Sequence, residues 1–168
     1  PDEGDALSAT ADSTTAEGGI VAVNSDGSFS YDGSGVASFQ ALPVGAVMTD
    51  TFQFTVSDSV GESDSATATI TVEGRNDAPV ANDDGGFATP GNTPLNVSTS
   101  ILGNDSDPDG DALSVDTTPV ALPTSGTVTL QTDGTFVYTP NSGFAGIDTF
   151  IYRLVDGNGG EATASVTI

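Results

Sequence analysis

The chain has 168 residues, with 24 acids against 2 bases and a formal charge of −22. Both bases are arginine (Arg75 and Arg153), and lysine, histidine and cysteine are absent. Nothing in it can neutralise a phosphate backbone or an anionic lipid surface, which excludes nucleic-acid binding and electrostatic membrane docking. Imidazole and thiolate chemistry is likewise impossible, whether as general base, nucleophile or metal ligand. Carboxylate, hydroxyl and backbone chemistry remains.

Asp dominates the acids, and Asp suits turns and caps where Glu suits helix interiors. With 21 Gly, 9 Pro and 36% hydrophobic residues in periodic runs, the chain reads as folded strands joined by acidic turns. No apolar run is long enough for a membrane-spanning helix. The chain begins with Pro1 and shows no signal peptide, as expected of a processed segment.

In chain order, Gly4-Asp5-Ala6-Leu7-Ser8 opens a first copy of a module. Asp26-Gly27-Ser28-Phe29-Ser30-Tyr31 follows, its Asp-Gly marking a hairpin turn. A strand runs through Asp50-Thr51-Phe52-Gln53-Phe54-Thr55-Val56-Ser57-Asp58, and Ala66-Thr67-Ala68-Thr69-Ile70 starts the next. Asn76-Asp77-Ala78-Pro79 is the boundary. The second copy repeats the same blocks in the same order: Gly110-Asp111-Ala112-Leu113-Ser114, Asp133-Gly134-Thr135-Phe136-Val137-Tyr138, Asp148 to Asp156, and Ala164 to Ile168. This is a tandem array of one module. The expected modules are residues 1–77 and 78–168.

Alternation and turn residues place strands of the second copy near 80–88, 94–98, 112–117, 126–131, 134–139, 148–155 and 161–168. Seven short strands in about 90 residues predict an all-β fold of tandem immunoglobulin-like sandwiches. The first copy has no counterpart of residues 80–103, so it lacks two N-terminal strands and is left with open edges. Either upstream sequence or a neighbouring chain supplies them, the latter as homotypic strand exchange or filament assembly.

The sharpest chemical signal is Asn104-Asp105-Ser106-Asp107-Pro108-Asp109-Gly110-Asp111. Alternating carboxylates before a glycine have the spacing of calcium loops, and Ca2+ takes six to eight hard oxygens in a flexible geometry. No helices flank the loop, so it is not an EF-hand. A sandwich brings Asp83, Asp84, the 104–111 loop and Asp156 to one pole, beside Asn76 and Asp77. The candidate calcium ligands are therefore Asn76, Asp77, Asp83, Asp84, Asn104, Asp105, Asp107, Asp109, Asp111 and Asp156. Asp12, Glu17, Asp32 and Asp50 are further acids at the facing pole of the first module, and Pro1 to Asp5 holds half of the loop motif. Phe52, Phe54, Phe150 and Tyr152 alternate on strands and read as core. The acids cluster in turns rather than in a cleft, so no enzyme is expected.

The run Asn104 to Leu113 resembles the "NDSDPDGD" signature of bacterial cadherin-like repeats, and Asp148 to Gly160 resembles their last hairpin. Leu42 to Val72, ending in Gly74-Arg75-Asn76-Asp77-Ala78-Pro79, is similar to VCBS-type repeats of large RTX-type adhesins. The resemblance implies an extracellular, bacterial cell-surface protein whose neighbouring repeat modules are joined through calcium, with roles in adhesion or biofilm. Ser59-Val60-Gly61 departs from the family's Gly-Asn-Gly. The expected function is a calcium-rigidified spacer. A subunit of a strand-complemented filament and a glycan- or ice-binding module (suggested by Thr67, Thr69 and Thr71) are the alternatives.

Overall fold

A computed structural model describes residues 6–168. The chain is all-β apart from two single helical turns, and it divides into two compact units, Pro1–Arg75 and Asn76–Ile168. Asn76 and Asp77, placed by sequence at the end of the first module, fall in the second unit. There the Asn76 amide donates to Asp156 at 2.7 Å and the Asp77 N–H donates to Asp109 at 2.8 Å. No helix among the described residues is long and apolar enough to cross a membrane.

In the first unit, β1 (Ser8–Ala11), β4 (Val47–Ser57) and β5 (Ser63–Glu73) form one antiparallel sheet in the order β1-β4-β5. β2 (Ile20–Val23) and β3 (Phe29–Asp32) form the other. A helical turn, α1 (Ala37–Gln40), buries Phe39 beside Val36 and Leu42.

In the second unit, β7 (Ser114–Ala121), β10 (Thr149–Val155) and β11 (Glu161–Thr167) make the sheet β11-β10-β7. β6 (Leu95–Val97), β9 (Phe136–Pro140) and β8 (Gly126–Leu130) make the sheet β6-β9-β8. A 3-10 turn spans Ile101–Asn104 and starts on the Ser100 hydroxyl, which accepts from the Leu102 N–H.

The two units share one register. Ala9 pairs with Val56 as Val115 pairs with Leu154; Phe52 pairs with Ala68 as Phe150 with Val166; Val23 pairs with Phe29 as Leu130 with Phe136. The hairpin turns match in detail. Asp26 Oδ1 accepts from the N–H and hydroxyl of Ser28, and Asp133 Oδ1 accepts from those of Thr135. Gly27 and Gly134 hold positive φ (86° and 80°), which the turn requires and other residues resist.

The predicted strand near 80–88 is not a strand. Val80 forms an isolated bridge with Ser106, and Asp84 forms one, in parallel sense, with Val166. The segment thus shifts its pairing from one partner to another along its length, and Asp83-Asp84-Gly85-Gly86 has little strand propensity to continue either ladder.

Period-two burial on β10 puts Phe150, Tyr152 and Leu154 into the second core with Ile101, Phe136, Tyr138 and Val166. Each such side chain contributes about 1.5–3 kcal/mol by leaving water. In the first unit the equivalent cover is missing. Phe29 is 52% exposed, whereas its counterpart Phe136 is 2% exposed.

Candidate metal centre

Three carboxylates meet at one place in the second unit. Oxygens of Asp107, Asp111 and Asp156 lie within 4.8 Å of one another. Opposite oxygen ligands of a Ca2+ ion stand at most about 5 Å apart, twice a bond of about 2.3–2.6 Å. No other trio of acids comes as close among the described residues.

Local sequence builds this convergence. Asp107 Oδ1 accepts from the backbone N–H groups of Asp109 (2.9 Å) and Asp111 (3.2 Å). Gly110 at φ 77° turns the chain so that Asp111 returns toward Asp107. On the last hairpin, Asp156 Oδ1 accepts from the N–H groups of Asn158, Gly159 and Gly160 at 2.7, 2.9 and 2.9 Å. Its Oδ2 accepts from the Asn76 amide. The Asn76 bond, with the three backbone donors behind it and against the effect of burial, holds the Asp156 carboxyl below the usual carboxylate range.

The remaining members form a ring of oxygens. Asp77 contributes backbone: its N–H donates to Asp109 Oδ2, and its carbonyl accepts from the Asn76 amide. Asp109 is nine-tenths buried. Asn76 Oδ1, Asp107 Oδ2 and Asp109 Oδ1 are all buried and meet no donor. Buried acceptors without a partner are costly, and grouped acids repel. A hard cation removes both costs, and every available donor atom here is oxygen, as Ca2+ requires. One residue escaped the sequence reading: Asn158, whose amide donates to Asp111 Oδ2 at 2.7 Å. It lies in the Asp156-Gly157-Asn158-Gly159-Gly160 turn, which reads as a hairpin connection rather than as a ligand support.

Gly160 is required by this packing. A Cβ there would lie 2.1 Å from Asp156 Oδ2 and 3.0 Å from the Asn76 amide nitrogen. Replacing Gly160 with Ala is expected to push Asp156 out of its cradle, lowering the melting temperature of the second unit by roughly 5–15 °C and weakening calcium binding. Differential scanning calorimetry and a calcium titration of the variant check both effects.

Asp83, Asp84, Asn104 and Asp105 are tied into a different set of bonds. Asp105 accepts from the Asn82 N–H (2.8 Å) and the Tyr152 hydroxyl (2.9 Å). The Asn104 amide donates to the carbonyls of Asn82 and Asp83, and Asp83 accepts from the Ser165 N–H. These contacts pin the 80–84 segment to the loop and to β11. Burial, then the charges of Asp105 and Asp83, push the Asp84 carboxyl up to about 6 against a bond from Tyr152. Its Oδ2 is buried and meets no donor.

The acids expected at the pole of the first unit do not behave alike. Asp12, Glu17 and Asp32 are exposed, and Asp32 accepts from the Ser34 N–H in its own turn. Asp50 is 1% exposed and is a structural pin. It accepts from the Thr15 and Tyr31 hydroxyls and from the N–H groups of Glu17 and Thr51. Its counterpart Asp148 is 3% exposed and accepts from Thr124, Ser125, Thr149 and the Tyr138 hydroxyl. The repeated Asp-Thr-Phe and Asp-Gly-x-Phe-x-Tyr blocks carried this pairing in plain view. The half-motif Pro1 to Asp5 lies outside the described residues. Asp58, at the position of Asp156, accepts from the N–H groups of Val60 and Glu62.

No curated protein matches the chain. Among solved structures, an endo-fucoidan hydrolase from glycoside hydrolase family 107 is 26% identical, with 99% of this chain and 23% of that chain covered and a TM-score of 0.37. A protocadherin gammaB7 EC3-6 cis-dimer structure is 16% identical, with 96% and 42% covered and a TM-score of 0.52. The chain therefore spans about a quarter of the first and less than half of the second, and the protocadherin likeness shows the fold. A family profile described as bacterial cadherin-like domain matches residues 1–74, and one described as bacterial Ig domain matches residues 76–168. Both are non-catalytic domain types typical of secreted or surface proteins. The chain belongs to the bacterial Ig-domain family through its second unit, which follows a bacterial cadherin-like domain.

Proposed function

We propose that this chain is a calcium-stiffened spacer within an extracellular bacterial adhesin or biofilm protein, of the cadherin-like and VCBS-type repeats found in RTX-type adhesins. The observation that supports this most is the approach of Asp107, Asp111 and Asp156, framed by buried, donorless oxygens of Asn76, Asp107 and Asp109. Asn76 and Asp77 follow Arg75 directly, so an ion held here orders the segment where one module gives way to the next. Asn76 and the aspartates supply the oxygens; the ion supplies positive charge and fixed coordination. Without it, mutual repulsion of the acids loosens the loop and the segment that opens the second unit. The neighbouring partners in this reading are further repeats of the same protein.

Small-angle scattering of the full chain tests the spacer role. Chelation with EGTA is expected to raise the radius of gyration and broaden the distance distribution, and calcium to reverse both. Superimposable curves with and without calcium would remove the stiffening role.

A further inference from the structure

The first unit carries an apolar groove of 170 Å3 lined by Ala9, Val23, Gly27, Phe29, Phe52, Phe54, Val56 and Ala68. The internal repeat identifies what such a groove holds. By the shared register, Ala9, Val23, Phe29, Phe52, Phe54, Val56 and Ala68 correspond to Val115, Leu130, Phe136, Phe150, Tyr152, Leu154 and Val166. All seven counterparts are at most 2% exposed. The ring pairs agree too: Phe29–Phe52 and Phe136–Phe150 are both edge-on, with centroids 5.4 and 5.3 Å apart.

What closes the second groove is the segment 80–102. Phe87 packs edge-on against Phe136 at 5.2 Å. Leu95 to Val97 pair antiparallel with Phe136 to Tyr138. The Ile101 N–H donates to the Gly134 carbonyl, and Ile101 is 1% exposed in the core. Asp84 bridges β11 at Val166. A Cβ on Gly134 would strike Ser100, Leu102 and Ile101, whereas one on Gly27 meets nothing within 4 Å. The first unit thus presents the floor of the same site, with β3 and β5 as its sheet edges.

We propose that this groove docks an extended polypeptide segment of the kind formed by residues 80–102: an aromatic over Phe29, a short strand along β3, and an aliphatic residue between the sheets. The occupant is the leading segment of another repeat of this type. A second copy of this chain is not the donor, because its own 80–102 segment is folded into its own second unit. The mode is strand addition, in which backbone bonds along an open edge give affinity and alternate side chains give specificity. The proposal stands on the apolar groove and is independent of calcium.

The probe is a synthetic peptide of residues 79–104 added to the full chain, followed by peptide-resolved hydrogen exchange. Saturable slowing of exchange at Phe29–Asp32 and along the outer edge of β5, by at least about tenfold, supports the proposal. Loss of that slowing with a peptide carrying Phe87→Asp and Ile101→Asp, or with a Phe29→Asp chain that keeps its circular dichroism, supports it further. Three results overturn it: no protection in the first unit at saturating peptide, protection confined to the second unit, or a concentration-dependent dimer that buries Phe29 without peptide.

Discussion

Asp148→Asn is expected to destabilise the second unit by about 3 kcal/mol, within the range for removing one partner of a buried charged hydrogen-bond set. The carboxylate is buried in the core wall and accepts from Ser125 N–H (2.9 Å), Thr124 N–H (3.0 Å), Thr149 N–H (3.1 Å) and the Tyr138 hydroxyl (2.8 Å). An amide in its place turns an NH2 group toward donors, leaving two donors facing each other in a dry site. Tyr138→Phe removes one donor and leaves the rest, so its cost is smaller, about 1–2 kcal/mol. Urea denaturation of both variants gives the order, with Asp148→Asn the more damaging. Equal costs would show that the carboxylate has no role beyond its bond to Tyr138.

The same pin sets the acid limb of stability. Burial opposes the charge on Asp148, but the Tyr138 hydroxyl and the Ser125, Thr124 and Thr149 N–H groups together hold its pKa below 3.8. A carboxyl depressed on folding contributes stability that is fully present above its unfolded pKa and lost as pH falls through its folded pKa. Wild type is therefore expected to lose stability below about pH 4, and Asp148→Asn to lose part of that dependence. Tyr138 marks the alkaline limb. Burial, followed by the bond to Asp148 and its charge, pushes its pKa up to about 12. That contribution is present below the unfolded tyrosine pKa and fades as pH rises through the folded value.

Calcium has the other large expected effect. At a free concentration a hundredfold above its dissociation constant, an ion that binds only the folded state adds about 2.7 kcal/mol. In a unit of this size that raises the melting temperature by roughly 10–20 °C. The gain belongs to the second unit, where Asp107, Asp111 and Asp156 meet. Calorimetry with and without EGTA is expected to move the second unit's transition and to leave Phe29–Asp32 and the other first-unit amides unchanged in hydrogen exchange. A uniform shift of both units would point to general charge screening of the −22 chain rather than to a site. Potassium chloride at equal ionic strength separates the two, because screening does not distinguish potassium from calcium.

The repeat and the strands were legible because burial imposes a strict period of two: Thr149–Val155 buries every second residue, and the sequence Thr-Phe-Ile-Tyr-Arg-Leu-Val states as much. The turns were legible because Asp-Gly at 26–27 and 133–134 has one favoured geometry. The 80–88 segment was not, because its pairing is decided by long-range partners, Ser106 and Val166, that local propensity does not name. The candidate ligands were found as residue types, but their division was not. Nothing in Asp105 distinguishes it from Asp107, yet one bonds to Tyr152 and the other turns toward Asp156. Asp50 and Asp148 were misjudged as ordinary acids because a buried carboxylate is rare. Only the fold brings a tyrosine and several N–H groups to them. The first unit's open groove was readable as a missing counterpart of 80–103.

Isothermal titration of calcium into the full chain, alongside an Asp107→Asn, Asp111→Asn variant, tests the central claim most directly. The expected result is saturable binding by the wild type, with a dissociation constant of roughly 0.1–1 mM as in extracellular modules. The folded variant should bind at least about tenfold more weakly, having lost two of the carboxylates a hard cation needs. No saturable heat from the wild type at millimolar calcium, or identical isotherms for the two proteins, would contradict the account.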